Sequence, residues 1–204
     1  MKYQVEVSSR NRLYDGFFHV DVFELRHELF EGGWSNTVRR ELFERGQAVA
    51  VLPYDPVADA VVLVEQFRIG ALAAGERPWL FEFVAGMVEV GESPEAVAHR
   101  EAAEEAGCTL GRLMPIAEYF STPGGMSEKI ILFCGEVDSR SVKRNAGVAE
   151  ESEDILVHVL GYDDAVTALA DGRINSATPI VAMQWLMLNR ERVRDEWRRS
   201  GSAP

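Results

Sequence analysis

The chain has only two cysteines, Cys108 and Cys134, and they stand alone. Without CxxC spacing they make no zinc site. Each sits beside apolar residues, where a thiol behaves as a small hydrophobe. Basic residues are also scarce: 21 Lys and Arg face 33 Asp and Glu, for a net charge of -12. Such a chain is ill suited to gripping a nucleic-acid backbone, which needs clustered cations. One basic stretch, Arg190 to Arg199, alternates with Glu191, Asp195 and Glu196 and reads as a solvated helix face. No apolar run is long enough to cross a bilayer. The opening MKYQVEVSSRNRLYDG lacks the apolar segment of a signal peptide. These absences predict a cytoplasmic protein with reduced thiols, and with neither nucleic acid nor membrane as a partner.

What is present suits a core of good size: 204 residues, 47% of them hydrophobic, without an internal repeat. The first third is rich in strand signals. Gly16 to Phe23 mixes aromatic and β-branched residues, Val38 to Phe43 follows a Gly-Gly turn, and Ala48 to Pro53 is short and apolar before Tyr54-Asp55-Pro56 breaks it. Ala60 to Glu65 reads as a buried strand and Trp79 to Val84 as another. A helix starts at Ser93 and Pro94 and stops at Gly107. Strands are predicted at Ile116–Phe120, Lys129–Val137 and Ile155–Leu160, then helices at Tyr162–Asp171 and Ile180 to about Trp197. Asp138 to Ser152 is a long polar loop. Strands, a helix, more strands and two helices predict an α+β fold with a mixed sheet, not a regular strand–helix alternation.

The helix carries Glu101, Glu104 and Glu105. Glu101 and Glu105 are one turn apart and share a face, with Glu104 beside them. The adjoining row, Ala98, Ala102 and Ala106, can lie close on a sheet, so the carboxylates sit near the packed side. Like charges at this spacing cost about 0.2–0.5 kcal/mol per pair, and only Arg100 compensates within the helix. A divalent cation would remove the repulsion, and magnesium prefers carboxylate oxygens and substrate phosphates. An acidic helix is by itself most often a solubilising face. The surrounding residues decide otherwise. Gly86, Glu92, Arg100, Glu101, Glu104, Glu105 and Gly107 stand at the spacings Gly-x5-Glu-x7-Arg-Glu-x-x-Glu-Glu-x-Gly.

That segment, Gly86 to Cys108, resembles the Nudix box, differing only where Ala102 and Cys108 fill bulky apolar positions. The resemblance implies an α/β/α sandwich whose strand–loop–helix motif binds Mg2+, with Mn2+ as a possible substitute, for diphosphate hydrolysis. It implies metal ligands at Glu101, Glu105 and the Ala85 carbonyl, with Glu104 in the catalytic set as a further ligand or as the residue that orients a water. Arg100 would be an orienting ion-pair partner in the catalytic set, and Gly86 would permit a backbone turn. Leu52 to Asp138, with LPYDP, VEQFRIGA, PWLFEFVAGM and STPGGMSEK, is similar to bacterial members of the ADP-ribose pyrophosphatase branch. The substrate expected from it is a nucleoside diphosphate sugar, ADP-ribose first, with GDP-mannose, UDP-glucose or NADH as alternatives. A non-catalytic ADP-ribose-binding regulator is the alternative of another class.

The same resemblance gives the remaining residues their expected roles. Arg68 would contact the nucleotide, and its planar fork suits phosphate or an adenine face. Gly125, after Pro123-Gly124, would allow close approach of the backbone, and Glu128 would position substrate or water. A glutamate of the long loop would be the base, Glu151 by ungapped count and Glu153 as the next candidate. Residues 1–47 resemble a β-rich region that exchanges between subunits, ahead of a hydrolase domain at 48–204. Phe17, Arg39, Arg40 and Glu41 would then reach the partner's site in a homodimer and hold the adenine and terminal ribose, with Phe17 stacking on the base.

Overall fold

The computed structural model describes residues 3–148 and 153–200, with side chains as far as residue 198. The chain divides into two compact units: residues 1–47 with 119–129, and residues 48–118 with 130–204.

The first unit is a three-stranded antiparallel sheet of β1 (Val5–Asp15), β2 (His19–His27) and β3 (Val38–Glu44), in that order. Gly16 to Phe18, expected to open a strand, instead form the β1–β2 turn, and pairing starts at Asp15 with His19. β1 itself gives little sequence signal because nearly all of it is exposed, which removes the in–out alternation that marks a half-buried strand. Asp21 on β2 is fully buried and accepts hydrogen bonds from the guanidinium groups of Arg10 and Arg12. A buried carboxylate without them would be strongly disfavoured. The 119–129 stretch joins this sheet at β3. Phe43 N–H donates to Gly125 O at 2.8 Å, and Phe43 forms a parallel bridge with Met126.

The second unit is built on a mixed sheet. Its strands are β4 (Gln47–Asp55), β5 (Ala60–Phe67), β6 (Trp79–Glu82), β7 (Val84–Met87), β8 (Leu113–Phe120), β9 (Lys129–Glu136), β10 (Asn145–Ala146) and β11 (Ile155–Gly161). The order is β10-β11-β5-β4-β9-β8, with β6 on β5 and β7 on β4. Helices are α1 (Ile69–Ala73), α2 (Pro94–Glu105), α3 (Tyr162–Ala170) and α4 (Ala177–Ser200). β4 and β5 are buried along almost their whole length, so both faces of the sheet are covered. On one face Val49, Val51, Val62, Val64 and Val84 pack with Val97, Ala98, Ala102 and Ala106 of the α2 segment. The alternate residue Tyr54 meets Trp197 of α4 at 6.4 Å between ring centroids. Helix, sheet and helix thus form an α/β/α sandwich.

Three local expectations are corrected here. The strand expected at Trp79–Val84 is two strands, because the chain leaves β5 at Glu82 and joins β4 from Val84. β4 does not break at Tyr54. It runs to Asp55, whose carboxylate accepts the amides of Val57 and Ala58 and so makes the turn while staying in the ladder. The polar loop after Asp138 is not bare: it holds a 3-10 turn at Ser139–Ser141 and the short β10. Among the described residues no helix is long and apolar enough to cross a membrane.

Asp59 closes the β4–β5 turn with φ of +55°. Its carboxylate accepts from Tyr54 Oη at 2.6 Å and from Arg190 Nε at 2.9 Å, and Arg194 Nη1 lies at 3.2 Å. One turn residue therefore ties α4 to the sheet. Asp59→Ala removes the shared acceptor and puts Ala in a left-handed conformation, so urea unfolding should show a loss of about 2–4 kcal/mol.

Candidate active site

α2 begins as its sequence dictates. Ser93 Oγ accepts the Ala96 amide at 3.2 Å, and Pro94 occupies the first turn. Its alanine row is buried against the sheet. That close fit draws Glu105 inward to 3% exposure, where it accepts the Ala85 amide of β7 at 2.9 Å. Burial pushes the Glu105 carboxyl up to about 8, opposed by the Ala85 hydrogen bond and reinforced by the charge of Glu101. Arg68 works in the opposite direction to Glu101, and Glu153 raises the value further. Glu101 is also raised, mainly by burial, with Arg100 opposing and Glu104 and Glu153 adding to the shift.

Arg100 is the local cation that the spacing anticipated. Its Nη1 lies 2.7 Å from Glu101 and 3.1 Å from Glu104, while Nε and Nη2 reach Glu92 at 3.1 and 3.2 Å. Three carboxylates share one guanidinium. Glu92 thus acquires a part that its place in the motif had not explained: it holds the far side of Arg100. Gly86 differs from expectation. It lies within β7 without a positive φ, so no turn requires glycine there. A Cβ at Gly86 would overlap the Glu101 carboxylate, so glycine lets that carboxylate lie where it does, and any side chain there would make it move.

The other residues fall into two groups. In the second unit, Arg68 donates from Nε to Glu82 at 2.7 Å. Glu82 was not singled out from sequence, although a lone carboxylate between Phe81 and Phe83 in an apolar strand is a usable signal. Glu153 is charge-coupled to Glu101 and Glu105, and its carboxylate accepts the Val148 amide at 3.3 Å. Gly147 N–H donates to Glu104 O at 3.0 Å, which pins this loop to the end of α2. Glu151 lies outside the described residues.

In the first unit, Phe17 is 83% exposed, touches Phe18 edge-on at 4.7 Å, and is not a core aromatic. Arg40 and Glu41 are exposed neighbours on β3. Glu41 accepts from Arg39 at 2.9 Å, and Arg40 donates to the Arg39 carbonyl at 3.0 Å. Gly124 and Gly125 lie in a turn, but neither has a positive φ, and a Cβ on either would meet open space. Their permissiveness is therefore not used by the fold. Glu128 is 6% exposed and lies 3.0 Å from Arg45 Nε.

The donor set suits a hard dication: two buried or half-buried carboxylates one turn apart, with a strand backbone alongside at Ala85. Among the described residues no three acidic, His or Cys side chains already form a cage. Glu101 and Glu104 turn instead to Arg100.

Two outcomes follow from this geometry. Gly86→Ala should displace Glu101 and lower kcat by about 10²-fold or more, as a misplacement of about 1 Å does, while the far-ultraviolet circular dichroism stays unchanged. In metal-free protein, folded Glu105 keeps its proton between its ordinary value of 4.5 and about 8, whereas unfolded Glu105 releases it. Stability must then fall as pH rises through that window. The Tm in EDTA should drop from pH 5 to pH 8, and Glu105→Gln should flatten the decline.

Comparison with known proteins places this geometry. A family model described as the NUDIX domain matches residues 44–175. The ADP-ribose pyrophosphatase of Escherichia coli (strain K12) is 47% identical over 196 residues, spanning 96% of this chain and 94% of that protein. The ADP-ribose pyrophosphatase of Haemophilus influenzae is 45% identical over 199 residues, spanning 96% and 92%. A GDP-mannose pyrophosphatase of Pectobacterium atrosepticum is 32% identical over 187 residues, spanning 90% and 94%. A crystal structure of an ADP compounds hydrolase superposes with a TM-score of 0.67 over 90% of this chain and 95% of that one, at 19% identity, which shows a shared fold. The complete box, its placement on α2 against β7, and these similarities together establish that the chain belongs to the Nudix family.

Proposed function

We propose that this protein hydrolyses the diphosphate bond of ADP-ribose to AMP and ribose 5-phosphate, with Mg2+ as the activating ion and Mn2+ as a substitute. The observation that carries the reading is the pair Glu101 and Glu105, held one turn apart over a strand that has no side chain at Gly86. Near full-length similarity to two ADP-ribose pyrophosphatases supports the choice of substrate.

Glu101, Glu105, Glu104 and the Ala85 carbonyl would hold the metal. A divalent ion bound there would polarise the diphosphate and acidify a water. The chain's own residues do the rest. Arg100 keeps Glu101 and Glu104 oriented, and would give up part of that ion pairing to a bound cation. Arg68, steadied by Glu82, presents its guanidinium to the nucleotide. Glu151 is the assigned base. Glu153 is the alternative, and its charge acts on both Glu101 and Glu105. Gly125 and Glu128 contact the substrate in this reading. Phe17, Arg40 and Glu41, on residues 1–47, serve the site of a second copy in a homodimer. The exposure of Phe17 fits a ring waiting for a base or a partner.

GDP-mannose is the second substrate considered, because a GDP-mannose pyrophosphatase is 32% identical over 90% of this chain. A purely regulatory, non-catalytic role would not require the intact set Glu92, Arg100, Glu101, Glu104 and Glu105 with its shared ion pairs.

ADP-ribose with Mg2+ in oxygen-18 water should give AMP and ribose 5-phosphate, the label marking the attacked phosphorus. Glu101→Gln and Glu105→Gln should each lower kcat by about 10³-fold or more, on the order of 4 kcal/mol, with folding retained. No product from the wild-type protein, or full turnover in both variants, would defeat the reading. Glu105 would hold the cation in its ionised form, and burial pushes its carboxyl up to about 8, so activity at limiting Mg2+ should rise toward pH 8 to 9. A flat profile from pH 6 to pH 9 would refute this pH dependence.

A further inference from the structure

The first unit carries its substrate-facing residues on two separate stretches of chain. Phe17 stands on the β1–β2 turn, and Glu128 stands on the 119–129 stretch. The end of β3 joins them. Phe43 holds Gly125 and Met126 through backbone pairing, and Ser127 Oγ donates to the Glu44 carboxylate. The next residue, Arg45, touches both stretches. Its Nε is 3.0 Å from Glu128 Oε1, and its guanidinium carbon is 5.2 Å from the centroid of the Phe18 ring. Phe18 in turn meets Phe43 at 5.2 Å and Phe17 at 4.7 Å.

Arg45 Nε is buried and, among the described residues, lacks an aligned hydrogen-bond partner. Charge and ring contact, rather than a directed hydrogen bond, hold the guanidinium. A planar, delocalised and weakly hydrated cation can face a ring and a carboxylate together, which an ammonium does poorly. Glu128 is nearly out of solvent, and that cation is the charge set against its carboxylate.

We propose that Arg45 is a positioning residue that couples the Phe17 turn to the Glu128 stretch, so that base recognition by Phe17 at the second copy's site and the placing of substrate or water by Glu128 are set together. The inference rests on the reading above, in which Phe17 and Glu128 face the substrate. A merely structural Arg45 would alter stability alone. A coupling Arg45 alters KM and substrate preference.

The test compares the full chain with Mg2+ as wild type, Arg45→Lys, Arg45→Met, Phe18→Leu and the Arg45→Met/Phe18→Leu double variant. Each is assayed on ADP-ribose and GDP-mannose, with Tm as a control. Arg45→Met should raise KM for ADP-ribose about tenfold, keep kcat within about threefold, and narrow the preference between the two substrates. The double variant should be no worse than the worse single variant, since both break one link. Arg45→Lys folds with its charge retained and should still show a raised KM. Arg45→Lys and Arg45→Met with wild-type KM and preference, or single effects that add in full, would overturn the coupling. If the wild type turns over GDP-mannose and not ADP-ribose, the substrate reading fails, and the same KM comparison on GDP-mannose still decides the role of Arg45.

Discussion

The site depends on forcing like charges into the same dry space. Glu101 and Glu105 would spread into water if α2 stood alone. The alanine row of α2 and the bare backbone at Gly86 instead bring the helix down onto β7 and take both carboxylates with it. Burial is costly for an anion, and the protein meets that cost in two ways. Glu105 takes an amide hydrogen bond and holds a proton more tightly, and Glu101 leans on Arg100. Each arrangement can be replaced by a hard cation. The costly element of the fold is therefore also the one that the proposed cation would relieve.

Arg100 shows how such a cluster of carboxylates is held in order by the protein alone. A single guanidinium spans Glu92, Glu101 and Glu104, with Glu92 reached from the loop before the helix. Planar donors in a fixed fork allow this sharing. The loop ahead of the helix and the acidic face of α2 are thus tied to one another. The second tether is Gly147, which hangs the later acidic loop from the carbonyl of Glu104.

Most of the sandwich is legible in the sequence because its signals are local. Ser93, Pro94 and Gly107 bound α2, and the apolar runs of β4, β5 and β9 announce buried strands. The box spacing gives Glu101, Glu105 and Arg100 directly. What escapes has no local period. β1 is exposed on both faces, α1 is only five residues long, and the switch from β6 to β7 depends on which neighbour each half meets. The Arg45–Glu128 pair joins residues far apart in the chain, and the Arg68–Glu82 pair forms only because β5 and β6 lie side by side. Gly86 is visible as a motif letter, but its reason is spatial and appears only when Glu101 is seen against it.

The first unit is not contiguous: residues 119–129 belong to it, although the start of the second unit lies between. During vectorial synthesis, β1 to β3 can pair as soon as they leave the ribosome. The Phe43 amide must then wait for Gly125 until the α2 segment has also emerged. The order of translation and the order of assembly therefore differ. A chain stalled before residue 119 would present an incomplete N-terminal sheet, with Phe43 and Arg45 lacking their later partners.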